Sequence, residues 1–215
     1  MAGLALWQPN GGGHSDKRPP TTAESPTNGV TPPRVTSPTS GGWMPLLNGQ
    51  NLDGWTVLPK SGNWSMQQGV LVGRGRNSYI LTNRDDFADF ELRVECRINA
   101  AGNSGVFFRC DSNDWLPVGF EANIELSNLG RLHDTRSQPN KKIPNPTNVG
   151  TLSPGQWFTY EIQARGTKIV MKIDGRTVLD FTSDEPIPMR GHLGLQCYEP
   201  DTTIEVRRFD VRTLP

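Results

Sequence analysis

From Trp43 onward, apolar residues recur at every second position. In "DFELRVECRIN" the residues Phe90, Leu92, Val94, Cys96 and Ile98 fall on one face, and Glu91, Arg93, Glu95, Arg97 and Asn99 on the other. This is the pattern of a long strand covered on one side only. "WFTYEIQAR" repeats it, with Phe158, Tyr160, Ile162 and Ala164 inward. "KIVMKIDGRTVLDF" sets Asp174-Gly175 between two apolar runs, the composition of a tight type I′ hairpin in which both central residues take positive φ. In "TTIEVRRFDVRTL" the phase changes between Val206 and Phe209, which predicts a bulge at Arg207 or Arg208. No apolar stripe at helical spacing runs longer than a turn or two. Strand-like segments separated by Gly, Asn, Asp and Pro, with no crossover helices, predict an all-β fold: a two-sheet antiparallel sandwich of jelly-roll type.

The pattern fails at two places. In residues 1 to 41, Pro, Gly, Ser and Thr supply 23 positions and large apolar residues show no period. Such a segment buries too little apolar surface to offset its chain entropy, so it reads as a disordered tail or linker, tethering the domain of residues 42 to 215 to something upstream. Between Ser127 and Gln156 the chain is Pro- and Asn-rich, with "RLHD" as its one strand-like piece. A connection far longer than the usual 4 to 6 residues or so is usually functional or mobile.

Charge and composition then narrow the function. The chain carries 22 basic and 22 acidic residues with no basic cluster, so nucleic acid is not an expected partner. No apolar run approaches the roughly 20 residues of a membrane span. "MAGLALW" lacks the basic start and apolar length of a signal peptide, which predicts a cytoplasmic chain or a start that lies upstream. Cys96, Cys110 and Cys197 have no metal-ligand spacing, cannot all pair, and sit within strand-like alternation, so they read as buried thiols. With no metal spacing and no glycine-rich phosphate loop, neither metal nor cofactor is expected.

Candidate chemistry centres on "VGFEANIELSN". If residues 119 to 126 form a strand, Glu121, Asn123 and Glu125 project from one face while Ala122, Ile124 and Leu126 enter the core. Neighbours in that row lie roughly 6.6 Å apart, and the row suits either acid/base work or a solvated strand face. Arg109 in "GNSGVFFRC", and Gln196 and Tyr198 in "HLGLQCY", alternate with inward residues and could meet the same face. Rings beside amides and carboxylates are what sugar binding uses, and Trp115 and Trp157 are candidate platforms. His133, in the long loop, reads as a solvated residue or a proton carrier. The spacing Glu-x-Asn-x-Glu resembles the Glu-x-Asp-x-Glu strand of laminarinase and lichenase type glucanases, with Asn123 in place of the central Asp.

"LLNGQNLDGW", "NWSMQQGVLVGRG", "YILTNRDDFADFEL", "GNSGVFFR", "GFEANIE", "GQWFTYEIQARG", "DGRTVLDF" and "LGLQC" occur in an order that resembles the 3-keto-disaccharide hydrolase domain family, over roughly Trp43 to Val211. The resemblance implies a concanavalin A-like lectin/glucanase sandwich, a carbohydrate ligand, an extracytoplasmic setting and action on glycosides with a ketone at C3. It implies Glu121 as base or sugar ligand, Arg109 as charged donor to a carbonyl or enolate, and Asn103, Ser104 and Gln196 as sugar-binding groups. The chain departs from the family pattern where Asn123 replaces Gln, Leu126 replaces Asp and Tyr198 replaces His. Two functions therefore stand side by side: a hydrolase or lyase of 3-keto-glycosides, and a noncatalytic carbohydrate-binding module of the same fold.

Overall fold

The computed structural model describes residues 42–112, 116–136, 138–140 and 142–215. The tail expected over residues 1 to 41 and the platform role of Trp115 lie outside the described residues.

Among the described residues there are fourteen strands and no helix. They are β1 (Met44–Pro45), β2 (Trp55–Leu58), β3 (Asn63–Gln67), β4 (Val70–Arg74), β5 (Ser78–Thr82), β6 (Phe90–Ile98) and β7 (Gly105–Ser112). There follow β8 (Pro117–Asn123), β9 (Leu132–Asp134), β10 (Phe158–Arg165), β11 (Lys168–Ile173), β12 (Arg176–Thr182), β13 (His192–Cys197) and β14 (Thr203–Thr213). One sheet runs β12-β11-β10-β6-β14-β4-β3, with β1 also on β14; the other runs β2-β5-β13-β7-β8-β9. Every pairing is antiparallel, so the sandwich expected from the period of two is what forms.

The core lies between the sheets. β6 alternates buried and half-buried along its whole length, with Phe90, Leu92, Val94, Cys96 and Ile98 inward, and β10 does the same until its last residue. Val106, Phe108, Phe120, Ala122, Leu193 and Leu195 face them from the second sheet. Burying a side chain of the Val, Leu or Phe kind contributes about 1.5–3 kcal/mol, which explains why the inward rows are so regular. Asp174 and Gly175 take φ of 48° and 77° between Ile173 and Arg176, the expected hairpin. The register of β14 on β6 slips between Val206 and Arg208, placing the expected bulge at Arg207. All three cysteines are buried and unpaired, and burial raises each thiol, Cys110 and Cys197 to about 12.

The outer face of the larger sheet is a lattice of ion pairs, including Arg93–Glu161 at 3.1 Å, Arg97–Glu205 at 2.6 Å and Arg212–Glu91. Trp157 sits within it, with the guanidinium carbons of Arg207 and Arg97 4.4 and 4.8 Å from its ring centroid. This corrects the platform role expected of Trp157: it lies on the sheet opposite Glu121, and arginines occupy its ring.

Candidate functional site

Among the described residues no helix packs on the outer face of the six-stranded sheet, and the polar row of "GFEANIE" opens there. Glu121 on β8 stands in register between Phe107 of β7 and His133 of β9. Gln196 of β13 pairs with Tyr79 of β5, and Gly105 of β7 with Asn123. Glu121, Phe107, His133, Gln196, Tyr79 and Asn123 line a cavity of about 410 Å³, together with Asn103, Glu125 and the rim residues Leu116 and Tyr198.

Glu121 is 8% exposed, and no hydrogen bond or ion pair among the described residues engages its carboxylate. Burial alone pushes it up to about 7, because a carboxylate moved from water into an apolar setting loses hydration that nothing here replaces. Its place is set by a glycine: a Cβ on Gly105 would meet Glu121 Cγ at 2.5 Å and also its Oε1. Gly105→Ala is therefore expected to push the carboxyl into the open cavity and bring its pKa down from about 7 toward the ordinary carboxylate range. Carbon-detected NMR titration of the glutamate side chains reads this, and an unmoved titration sinks the idea.

The neighbours of Glu121 are also shifted. Burial lowers the imidazole pKa of His133; the Arg131 guanidinium adds to this and Glu125 opposes it. Burial raises the Tyr79 phenol, against a hydrogen bond with the Gln196 side chain and with help from the Glu121 charge. Asp134 is fastened to Arg136 at 2.6 Å and to the Asn140 N–H at 2.8 Å. Burial raises its carboxyl, but these partners hold it below its usual range.

Four expectations about the site need correction. First, the strand stops at Asn123, whose Oδ1 accepts the Glu125 N–H at 2.7 Å, so Glu125 follows a side-chain turn and only two members of the Glu-x-Asn-x-Glu row share a strand. Glu125 still lines the cavity, with one carboxylate oxygen held by Ser127 Oγ at 2.8 Å.

Second, Arg109 does not face Glu121. It has φ of 46°, and a bulge there puts Arg109 and Cys110 opposite the single residue Gly119. A Cβ at Gly119 would meet the Arg109 carbonyl oxygen at 2.6 Å, so glycine is what admits the bulge. The fully buried guanidinium donates to Ala88 O at 2.8 Å, Asp89 Oδ1 at 2.9 Å, Gly166 O at 2.7 Å and Pro188 O at 3.4 Å, binding three connections together. The same bulge turns Cys110 onto the outer face, beside Tyr79, Leu81 and Phe107.

Third, Ser104 is buried with its Oγ donating to the Gln196 carbonyl at 2.5 Å, so it holds β13 rather than lining the cavity. Fourth, the strand-like piece of the long loop does form a strand, Leu132–Asp134, and His133 on it is Glu121's cross-strand partner rather than a solvated loop residue.

Asn103, Gln196 and Tyr198 do reach the cavity. The Asn103 carbonyl accepts the Tyr198 N–H at 3.0 Å, which fixes the rim. Sequence reasoning passed over Tyr79 and underrated His133. The inward Leu132 beside an outward His133 was a usable signal; in β5 every residue is buried, and no alternation marks Tyr79. Among the described residues no three His, Cys, Asp or Glu side chains gather as metal ligands.

A family model for the 3-keto-alpha-glucoside-1,2-lyase-like domain matches residues 42–212. The chain belongs to that family. An extracellular exo-alpha-L-arabinofuranosidase of Streptomyces chartreusis is 22% identical over 134 residues, which is 59% of this chain but 15% of that enzyme's length. A proposed glycosyl hydrolase of Parabacteroides distasonis ATCC 8503 superposes with a TM-score of 0.67 at 17% identity, over 81% of this chain and 94% of that one. The carbohydrate-binding module CBM66 of Bacillus subtilis gives 0.62 at 19% identity, over 76% and 98%. At such identities the two structures attest the fold, a sandwich of lectin and glucanase type. The lyase-like domain is thus a carbohydrate-active domain, glycosyl hydrolase-like or carbohydrate-binding. Of the positions that the family motifs mark, Asn103, Glu121 and Gln196 converge on the cavity of this lyase-like domain, while Ser104 and Arg109 support the strands around it.

Proposed function

We propose that the domain cleaves glycosides carrying a ketone at C3 of the sugar, by elimination followed by addition of water. The observation that carries this reading is a buried carboxyl at about 7, unpaired among the described residues and set in an open cavity of the right size for a ligand. The C3 carbonyl acidifies the C2 hydrogen. Glu121 carboxylate takes that proton, the electron pair forms the C1–C2 double bond through an enolate, and the C1–O bond breaks with its electrons leaving on oxygen. The leaving oxygen needs a proton, and a carboxyl poised near neutrality can return the one it has taken. Water then adds across C1–C2. Because Arg109 is committed elsewhere, the developing enolate is met by neutral donors, the Tyr79 phenol and the Gln196 and Asn103 amides. His133, held neutral by its surroundings, orients the ligand beside Glu121.

The test is turnover by the full chain of a panel of 3-keto-glucosides and the matching unoxidised glycosides. Release of the aglycone from the keto sugars alone is expected, rising as pH passes through about 7, since the base works as the carboxylate. Cleavage of unoxidised glycosides instead, or no cleavage, ends this reading. A second reading, a binding module without turnover, is favoured by the Tyr198 ring, 47% exposed at the rim where a sugar face could stack. It predicts binding of the same panel with no release.

A further inference from the structure

The cavity over Glu121 is acidic and holds no cation to match. Among the described residues neither lysine nor arginine lines it, while Glu121, Glu125 and Asp134 all do. Asp134 is paired with Arg136, whose Nε and Nη2 donate to its two oxygens at 2.8 and 2.6 Å. Arg131 instead donates to Asn145 Oδ1 at 2.7 Å, and Arg109 to Asp89 and to backbone carbonyls. Glu125 has one carboxylate oxygen held by Ser127 Oγ, a neutral partner. Glu121 has no partner among the described residues, although it is only 8% exposed and lines the cavity. Its titratable neighbours, Tyr79 on β5 and His133 on β9, are neutral near pH 7, since burial raises the phenol and lowers the imidazole. Two carboxylates therefore stand without an opposite charge, one of them almost wholly out of water.

A neutral sugar leaves this imbalance in place. A hydroxyl that accepts a hydrogen bond from the Glu121 carboxyl favours its protonated form, and a protonated carboxyl is not a base. An ammonium group favours the opposite form: in a site shielded from water, its attraction for the carboxylate offsets the hydration lost on burial. We infer that the cavity selects a sugar carrying a protonated amine and turns away sugars carrying a carboxylate or a sulfate. This rests on the proposed action at C2 of the ring. An ammonium on that carbon neighbours the hydrogen that Glu121 removes, and its charge keeps Glu121 ionised at neutral pH, the form that the elimination uses. Glu125, on the same cavity wall, adds a second negative charge to the field that a cation meets.

The experiment is calorimetric titration of the full chain at about pH 7 with glycosides that share one ring: methyl α-glucosaminide, its N-acetyl form, methyl α-glucoside and methyl α-glucuronide. None carries the C3 ketone, so none is consumed. At that pH an amine of this kind is largely protonated, and Glu121 is about half protonated. The glucosaminide is expected to bind about tenfold more tightly than the glucoside, the N-acetyl form no better than the glucoside, and the glucuronide most weakly. Glucosaminide binding is expected to expel roughly half a proton from Glu121, read as a dependence of the heat on the ionisation enthalpy of the buffer. Glu121→Gln is expected to abolish that release, and both it and Glu125→Gln to narrow the preference. Equal affinity across the series, an N-acetyl form that binds as well as the amine, a preference that survives both substitutions, heat independent of the buffer, or no binding at all overturns the inference. Turnover of neutral keto-glucosides with no preference for the amine retires this selectivity and leaves the elimination standing; a preference for the amine with no keto-glucoside turnover does the reverse.

Discussion

Glu121→Gln is expected to abolish aglycone release from 3-keto-glucosides and at the same time to make the folded protein more stable above pH 7. The carboxyl titrates near 7 in the fold and near 4.5 when exposed, so between those values the native state holds a proton that the unfolded state has lost. Stability therefore falls as pH rises through that window, by about 3 kcal/mol in all, and the native state is relieved of this cost only at acid pH. The amide cannot ionise, so the variant escapes the loss. Urea unfolding at pH 4.5 and pH 8.5 separates this effect from any packing cost, which is shared by both conditions. An equal difference at the two pH values would show that Glu121 is not held at the shifted pKa, and the argument for its reactivity would go with it.

The second large effect falls on a residue that the sequence assigned to chemistry. Arg109→Leu removes a fully buried guanidinium and strands three backbone carbonyls together with Asp89, which also accepts the Gly166 N–H at 2.9 Å. Breaking a buried charge network in this way costs about 3–5 kcal/mol. With Asp89 partly exposed, the lower end applies, and Tm is expected to drop by roughly 6–12 °C. Thermal unfolding followed by circular dichroism measures this. A variant as stable as the parent yet inactive would return Arg109 to the reaction.

The contrast between these residues shows where the sequence was informative. β6, β10 and the Asp174-Gly175 hairpin were legible because one face of each meets solvent and the alternation is clean. The bulge at Arg207 was legible for the same reason: the phase slip changes which residues are charged. In β7 every residue from Gly105 to Cys110 is buried, so a phase slip leaves no trace in the composition and Arg109 could not be told from an outward residue. Glu121 and Gln196 were found because polar side chains in strands need a reason. Glu125 was misplaced because Asn123 ends its strand with its own side chain, a local choice that period-two reasoning does not contain.

β14 lies inside the larger sheet, hydrogen-bonded to β6, β4 and β1, although it is the last strand of the domain to be synthesised. Its ion pairs reach back across 112 residues from Arg207 to Glu95 and 121 from Arg212 to Glu91. On the ribosome, β6 and β4 therefore wait with bare edges for a neighbour not yet made, and bare edges recruit other chains. Truncation before Thr203 should consequently yield aggregated protein rather than a weakened domain.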